Sequence, residues 1–233
     1  MTALHILSAG AAKGLVLAMQ ARFSAARGAT FDSTFGAVGA MKGKLLAGAP
    51  CDLIILTAAI IDALAAQGLV RAESCAALGR VYTGIAVPAT QPMPDIGDAA
   101  RLRSALLDAR GIYLPDPERA TAGIHFANVL RALGIYDSVR KRLRPFPNGA
   151  TAMRAMADAG EPDLIGCTQV TEINYTDGAL LVGVLPREFE LATTYSLAVC
   201  SNAAEPALAR EFAALLAGPE SRALRLQGGF VVD

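Results

Sequence analysis

The strongest constraint on this chain is its repeated switch between two hydrophobic periods. Short apolar runs alternate with stretches whose apolar residues recur every three or four positions, and small-residue clusters mark the switches. Residues 4–8 read as a strand, Ala9-Gly10-Ala11-Ala12-Lys13-Gly14 as a turn, and residues 15–27 as a helix with Leu15, Met19 and Phe23 on one face. Residues 30–35 form a second strand, and Gly36-Ala37-Val38-Gly39 leads to a helix over 40–47 ended by Gly48 and Pro50. Residues 52–56, Asp-Leu-Ile-Ile-Leu, form a run without alternation, as expected of a strand covered on both faces. A helix over 59–67 follows. Strands that alternate with helices pair in parallel, because a parallel neighbour is reached only through a crossover. The fold class is therefore α/β.

The alternation breaks at residues 80–87, a long strand entering the Pro-rich stretch 88–94, and then resumes. Helices are expected over 99–109, 122–133, 138–143 and 150–159, with strands at 111–114, around Phe146, at 164–167 and at 180–185. A second long strand spans 193–200, and helices over 206–217 and 220–226 finish the chain. The pattern predicts two lobes. Residues 1–82 with 190–233 form the first, and residues 83–189 form an inserted second. Two crossover strands join them, and an interdomain ligand cleft is expected at the carboxyl ends of the strands, where open α/β sheets bind ligands.

Composition removes several function classes. Lys and Arg (21) balance Asp and Glu (21), so the positive field that phosphate backbones require is missing and no nucleic-acid partner is expected. No apolar stretch is long enough to insert into a membrane. Cys51, Cys75, Cys167 and Cys200 lack metal-ligand spacing, so no metal and no cofactor are expected. In a chain of this size they are expected as free thiols. The first residues read as a strand rather than a leader, which places the chain in the cytoplasm as written. It would be periplasmic if a signal peptide has been removed.

Four segments carry a resemblance to a known family. Ala47-Gly48-Ala49-Pro50-Cys51-Asp52-Leu53-Ile54-Ile55 resembles the "AGAPADLFI" segment of periplasmic molybdate-binding proteins. Asp116-Pro117-Glu118-Arg119-Ala120-Thr121-Ala122-Gly123 resembles their "DPExxPAG" segment, Leu133-Gly134-Ile135-Tyr136-Asp137 their "LGxWD", and Ala217-Gly218-Pro219-Glu220 their "GPE" element. Order and spacing hold over nearly the whole chain. The resemblance implies a two-lobed type II periplasmic-binding-protein fold, which holds an oxyanion through backbone N–H groups at helix starts and a few hydroxyls. An ABC transporter is an implied partner only if the protein is exported.

On that resemblance the ligand-binding candidates are Ala11, Gly39, Ala122, Gly149 and Cys167, and position adds Ser8, at a strand's carboxyl end as a donor or an ordinary turn cap, and Arg119, beside a helix start. Backbone donors at Ala11, Gly39, Ala122 and Gly149 bind an anion whatever the side chain. The family's hydroxyls are replaced, by Ala11 and by the Gly36–Gly39 stretch, and its tyrosine falls near Cys167. Arg119 either makes a bidentate carboxylate contact or faces solvent. Lys13 and Lys42, each in a first helical turn, face either solvent or ligand. His125 and Cys167 are the candidate catalytic residues. His125 is either an acid/base or a packed imidazole, and Cys167 either a reactive thiol or a small buried apolar residue. Glu172 and Tyr175 lie a few residues further on. The basic run at residues 140–144 reads as solvated helix.

Two functions are expected from different classes. One is binding of a small anion, an organic carboxylate rather than molybdate. The other is a cofactor-free isomerase acting on an unsaturated polycarboxylate, as in aconitate isomerases of the same scaffold.

Overall fold

A computed structural model describes residues 3–232. The chain divides into two compact units, one comprising Met1–Val81 with Thr193–Asp233, the other Tyr82–Ala192.

The first unit is built on a sheet in the order β2-β1-β3-β9, formed by β1 (Ala3–Ala9), β2 (Thr30–Gly36), β3 (Leu53–Thr57) and β9 (Ala192–Val199). β1 pairs in parallel with β2 and β3, and β9 runs antiparallel to β3. Each parallel strand feeds a helix, namely α1 (Lys13–Arg27), α2 (Val38–Leu46) and α3 (Ala58–Ala66). Leu53, Ile54, Ile55 and Leu56 are all fully buried, which explains a run without alternation. On one face Phe23, Phe31 and Phe212 of α9 (Pro206–Ala217) pack with ring centroids 4.9–6.0 Å apart.

α10 (Arg222–Gly228) follows a 3-10 turn at Pro219–Ser221, so the single helix expected over 220–226 is two elements. The buried Arg225 of α10 donates to the carbonyls of Leu78, Ala217 and Gly218 at 2.8–2.9 Å and to Ser221 Oγ at 3.0 Å. One guanidinium thus closes the carboxyl end of α9 and ties it to β4 (Ala76–Pro88), the long strand through which the chain leaves the first unit.

The second unit has strand order β4-β7-β5-β6, with β8 (Ala179–Val184) on the other side of β4. β5 (Gly111–Pro115) pairs in parallel with β6 (Leu143–Phe146) and β7 (Leu164–Gln169). Its helices are α4 (Ala99–Asp108), α5 (Thr121–Ala132), the short α6 (Tyr136–Val139), α7 (Gly149–Ala157) and α8 (Val170–Asn174). One core packs Ile85, Leu106, Ile112, Leu114, Phe126 and Cys167. Another packs Tyr113, Met153, Met156 and Ile173.

The helix expected over 138–143 is corrected here. α6 ends at Val139, a 3-10 turn covers Arg140–Arg142, and Leu143 already pairs with Ile112. The physical reason is tertiary, since residues 143–146 pair with Ile112–Pro115 of β5, and Pro145 adds to it by holding Arg144 extended. The basic run is accordingly not a solvated helix. Arg142 donates to the carbonyls of Leu107 and Ala109 at the end of α4. Arg144 pairs with Glu161 at 2.8 and 3.0 Å and lies over the Tyr113 ring. No helix among the described residues is long and apolar enough to cross a membrane.

Candidate functional site

In the first unit, β1 and β2 stay in register to their last pair, Ala9 and Gly36. The segments leading into α1 and α2 therefore leave the sheet side by side, about 5 Å apart, the spacing of neighbouring strands. Neither start is closed by a side chain. The N-cap residues are Ala12 and Ala37, which have no oxygen to offer, and the Gly10–Ala12 3-10 turn before α1 is uncapped as well. An alanine there forgoes about 1 kcal/mol relative to Ser, Asp or Asn. Ala11 is buried within that turn, whereas Gly39, the second residue of α2, is exposed. Lys13 holds its ammonium 5.9 Å from the Phe35 ring, beside the end of β2. Ser8 is fully buried at the end of β1 and turns its hydroxyl to the Ala9 carbonyl at 3.0 Å, so its proton is already committed.

In the second unit, β5, β6 and β7 carry α5, α7 and α8 from their carboxyl ends. The α5 start is shaped by Asp116, whose carboxylate accepts the N–H groups of Glu118 and Arg119 at 2.8 and 3.1 Å. Gly123 then lies directly against the carbonyls of Pro115 and Asp116. A Cβ there would stand 2.3 Å from either oxygen. The N-cap of α5 is Ala120, again without a side-chain bond. Ala122 is buried at this start, and the Arg119 side chain is exposed.

The α7 start differs. Asn148 caps it, accepting the Thr151 N–H at 2.9 Å, and its first N–H groups, of Gly149 and Ala150, donate to the carboxylate of Glu172. The same carboxylate accepts from the Thr168 hydroxyl at 2.5 Å and from the Gln169 N–H. Burial raises the Glu172 carboxyl above the usual glutamate range, partly offset by these four donors, Thr168 foremost. The expectation that Gly149 offers its N–H to a ligand meets a carboxylate of the chain itself already in that place. Glycine is required for this arrangement, because a Cβ at residue 149 would fall 1.9 Å from Thr168 Oγ1 and 2.0 Å from Glu172 Oε2.

The two catalytic candidates sit elsewhere. His125 bonds through Nε2 to the Phe189 carbonyl at 2.7 Å, fastening α5 to the 3-10 turn Arg187–Phe189. Cys167 is fully buried in an apolar cluster, and burial pushes its thiol well above the ordinary range. Of the two alternatives for Cys167, its burial favours the packing residue, since β7 turns residue 167 to the core and residue 168 to Glu172.

Sequence reasoning missed Thr83 and Thr171. Thr83 stands opposite Gln169 in the β4–β7 ladder, and Thr171 lies in α8 just beyond it. Both are buried, and their hydroxyl oxygens have no hydrogen-bond partner among the described residues. Nothing in a one-dimensional pattern separates them from ordinary strand and helix threonines. A cavity of about 400 Å³ in the same unit, lined by Gln91, Met93, Ala109, Asp163 and Leu164, opens at the amino ends of β5 and β7, away from these groups. Among the described residues no cluster of three or more His, Cys, Asp or Glu is arranged to hold a metal.

Parallel strands in both units thus end in helix starts, most of them without side-chain caps. Comparison with known proteins places the chain: residues 4–231 match the bacterial extracellular solute-binding proteins, and the chain belongs to that family. It is 26% identical over 226 residues to an aconitate isomerase of a Pseudomonas species, covering 94% of this chain and 84% of that protein. It is 25% identical over 227 residues to the molybdate-binding protein ModA of Escherichia coli (strain K12), covering 95% and 87%. The periplasmic molybdate-binding protein of Azotobacter vinelandii has the same fold, with a TM-score of 0.79 at 19% identity over 99% of both chains.

Proposed function

We propose that the protein binds a small organic carboxylate, rather than molybdate, at the carboxyl ends of its parallel strands. The observation that carries this reading is the contrast among helix starts. Those of α1, α2 and α5 have N–H groups and no side-chain acceptor, whereas α7 is filled by Glu172. Uncapped starts are anion sites, since unmatched N–H groups and the helix dipole favour negative charge. A carboxylate uses two oxygens and is served by a few such donors.

A compact tetrahedral dianion would need donors on all four oxygens. Ala11 and the Gly36–Gly39 stretch supply no hydroxyl, and α7 presents a carboxylate of its own. The unpartnered hydroxyls of Thr83 and Thr171 support the same reading, because buried polar atoms without partners cost roughly 1–3 kcal/mol each until an acceptor reaches them.

Thermal unfolding in the presence of citrate, cis- and trans-aconitate, short dicarboxylates, sulfate and molybdate tests the reading. The expected result is stabilisation by a carboxylate at millimolar concentration and none by molybdate. The reverse order refutes it.

A second reading is isomerisation of an unsaturated polycarboxylate. Two observations favour it, the similarity to an aconitate isomerase and a buried Glu172 whose carboxyl is raised by burial, as is common for acid–base groups. Proton NMR of cis-aconitate incubated with the protein separates the two readings. A spectrum that drifts toward the trans isomer makes the protein an enzyme, and a constant spectrum leaves it a binder.

A further inference from the structure

Cys51 and Cys200 belong to segments of the first unit that are far apart in sequence and are brought together by one ladder. The last pair of the β3–β9 ladder is Leu53 with Val199. The pairing runs one step further, because the Cys200 N–H donates to the Asp52 carbonyl at 2.9 Å. Residues 52 and 200 are therefore opposite one another, and Cys51 is one step from that pair. Ladder geometry puts the Cα atoms of Cys51 and Cys200 about 6 Å apart, inside the window of about 4.4–6.8 Å that a disulfide spans. The two sulfurs are near enough to influence one another, and the Cys51 thiol donates to the Leu53 carbonyl at 3.3 Å in the reduced protein. Asp52 between them is fixed, its carboxylate accepting the N–H groups of His5 and Glu205 at 2.8 and 3.0 Å.

We propose that Cys51 and Cys200 are an oxidative modification site, closing to a disulfide when the protein meets a low-molecular-weight disulfide such as oxidised glutathione. Cys51 is half-buried and Cys200 almost fully buried, so Cys51 meets the oxidant. Its thiolate attacks the glutathione disulfide, giving a mixed disulfide and one glutathione thiol. The Cys200 sulfur then attacks the Cys51 sulfur and expels the second glutathione. Two protein thiols are oxidised, one glutathione disulfide is reduced to two thiols, and the two protons end on glutathione. The bond would staple together the two stretches of chain between which the second unit is inserted. Membership of an extracellular family makes an oxidising compartment the relevant setting.

The other cysteines are placed differently. Cys167 lies in the core of the second unit, and Cys75 directs its sulfur to the Arg71 carbonyl. The reduced protein has four titratable thiols under denaturing conditions. After equilibration with oxidised glutathione, the count should fall by two, and a non-reducing digest should contain Cys51 and Cys200 peptides joined with the loss of two hydrogens. Because the closed loop takes in most of the chain, the thermal midpoint should rise by roughly 10 °C and return on adding dithiothreitol. Cys51→Ser should melt close to the reduced wild type and lose both the cross-link and the rise. Cys75→Ser should keep them. Glutathione retained on Cys51 as a stable mixed disulfide, a cross-link through Cys75, or four unreacted thiols would each overturn the proposal.

Discussion

Gly149→Ala is the most informative single substitution in the second unit. Residue 149 has an ordinary helical backbone, so the cost lies in what its new methyl would meet. That methyl would stand 1.9 Å from Thr168 Oγ1, 2.0 Å from Glu172 Oε2 and 2.6 Å from Glu172 Cδ. All three separations are shorter than real Cβ atoms show. The carboxylate must therefore withdraw. It gives up bonds from Gly149 and Ala150, each worth about 1.5–3 kcal/mol to a charged acceptor, or strains the packing at a similar cost. Alanine's better helix propensity returns less than about 1 kcal/mol.

The net loss is about 3 kcal/mol, or a fall in thermal midpoint of roughly 6–12 °C by circular dichroism. Gly183→Ala is the control in the same unit. Its methyl meets only Ile96 Cδ1 at 3.6 Å, and the midpoint should stay within about 2 °C. With Thr168→Ala and Glu172→Ala already present, Gly149→Ala should cost less than about 1 kcal/mol, because the groups it displaces are gone. A Gly149→Ala protein melting within about 1 °C of wild type would refute the placement of Glu172 on α7.

Other outcomes follow from the same contacts. Because burial raises the Glu172 carboxyl, the folded protein keeps a proton that the unfolded chain releases near pH 4.3, the approximate ordinary glutamate value. That stabilisation is complete below the unfolded value and is lost as pH rises through the folded one, so the wild type should lose stability relative to Glu172→Gln between acid and neutral pH in paired melts. Arg225→Lys should cost about 2–4 kcal/mol in urea unfolding, since an ammonium cannot reach the carbonyls of Leu78, Ala217 and Gly218 together. His125→Ala should lower stability by about 1 kcal/mol through the lost bond to Phe189, while carboxylate affinity measured by calorimetry changes less than about twofold. Thr83→Val and Thr171→Val should be neutral or slightly stabilising without ligand, yet weaken carboxylate binding by about tenfold if each hydroxyl reaches the ligand.

The fold was legible because hydrophobic period is a local property. The fully buried run at Leu53–Leu56, the Gly36 and Gly48 punctuation and the long strands into and out of the second unit can all be read from neighbouring residues. The errors fell where tertiary partners decide. A helix reading of Leu143 fails because its pairing with Ile112, thirty-one positions earlier, leaves no trace in a short window. The helix expected over 220–226 contains Arg225, and nothing in the sequence marks the carbonyls that gather around it. The backbone donors at Ala11, Gly39 and Ala122 are suggested only by the family resemblance. The acceptor that fills Gly149 is hidden from the sequence, because Glu172 reaches it from another helix.

Amide mapping by nitrogen-15 NMR tests the central claim most directly. On titration with trans-aconitate, the account predicts shifts at the N–H groups of Ala11, Ala12, Gly39 and Ala122, with Gly149 and Ala150 little changed because Glu172 already accepts from them. Large shifts at Gly149 and Ala150 while the α1, α2 and α5 starts stay still would contradict it.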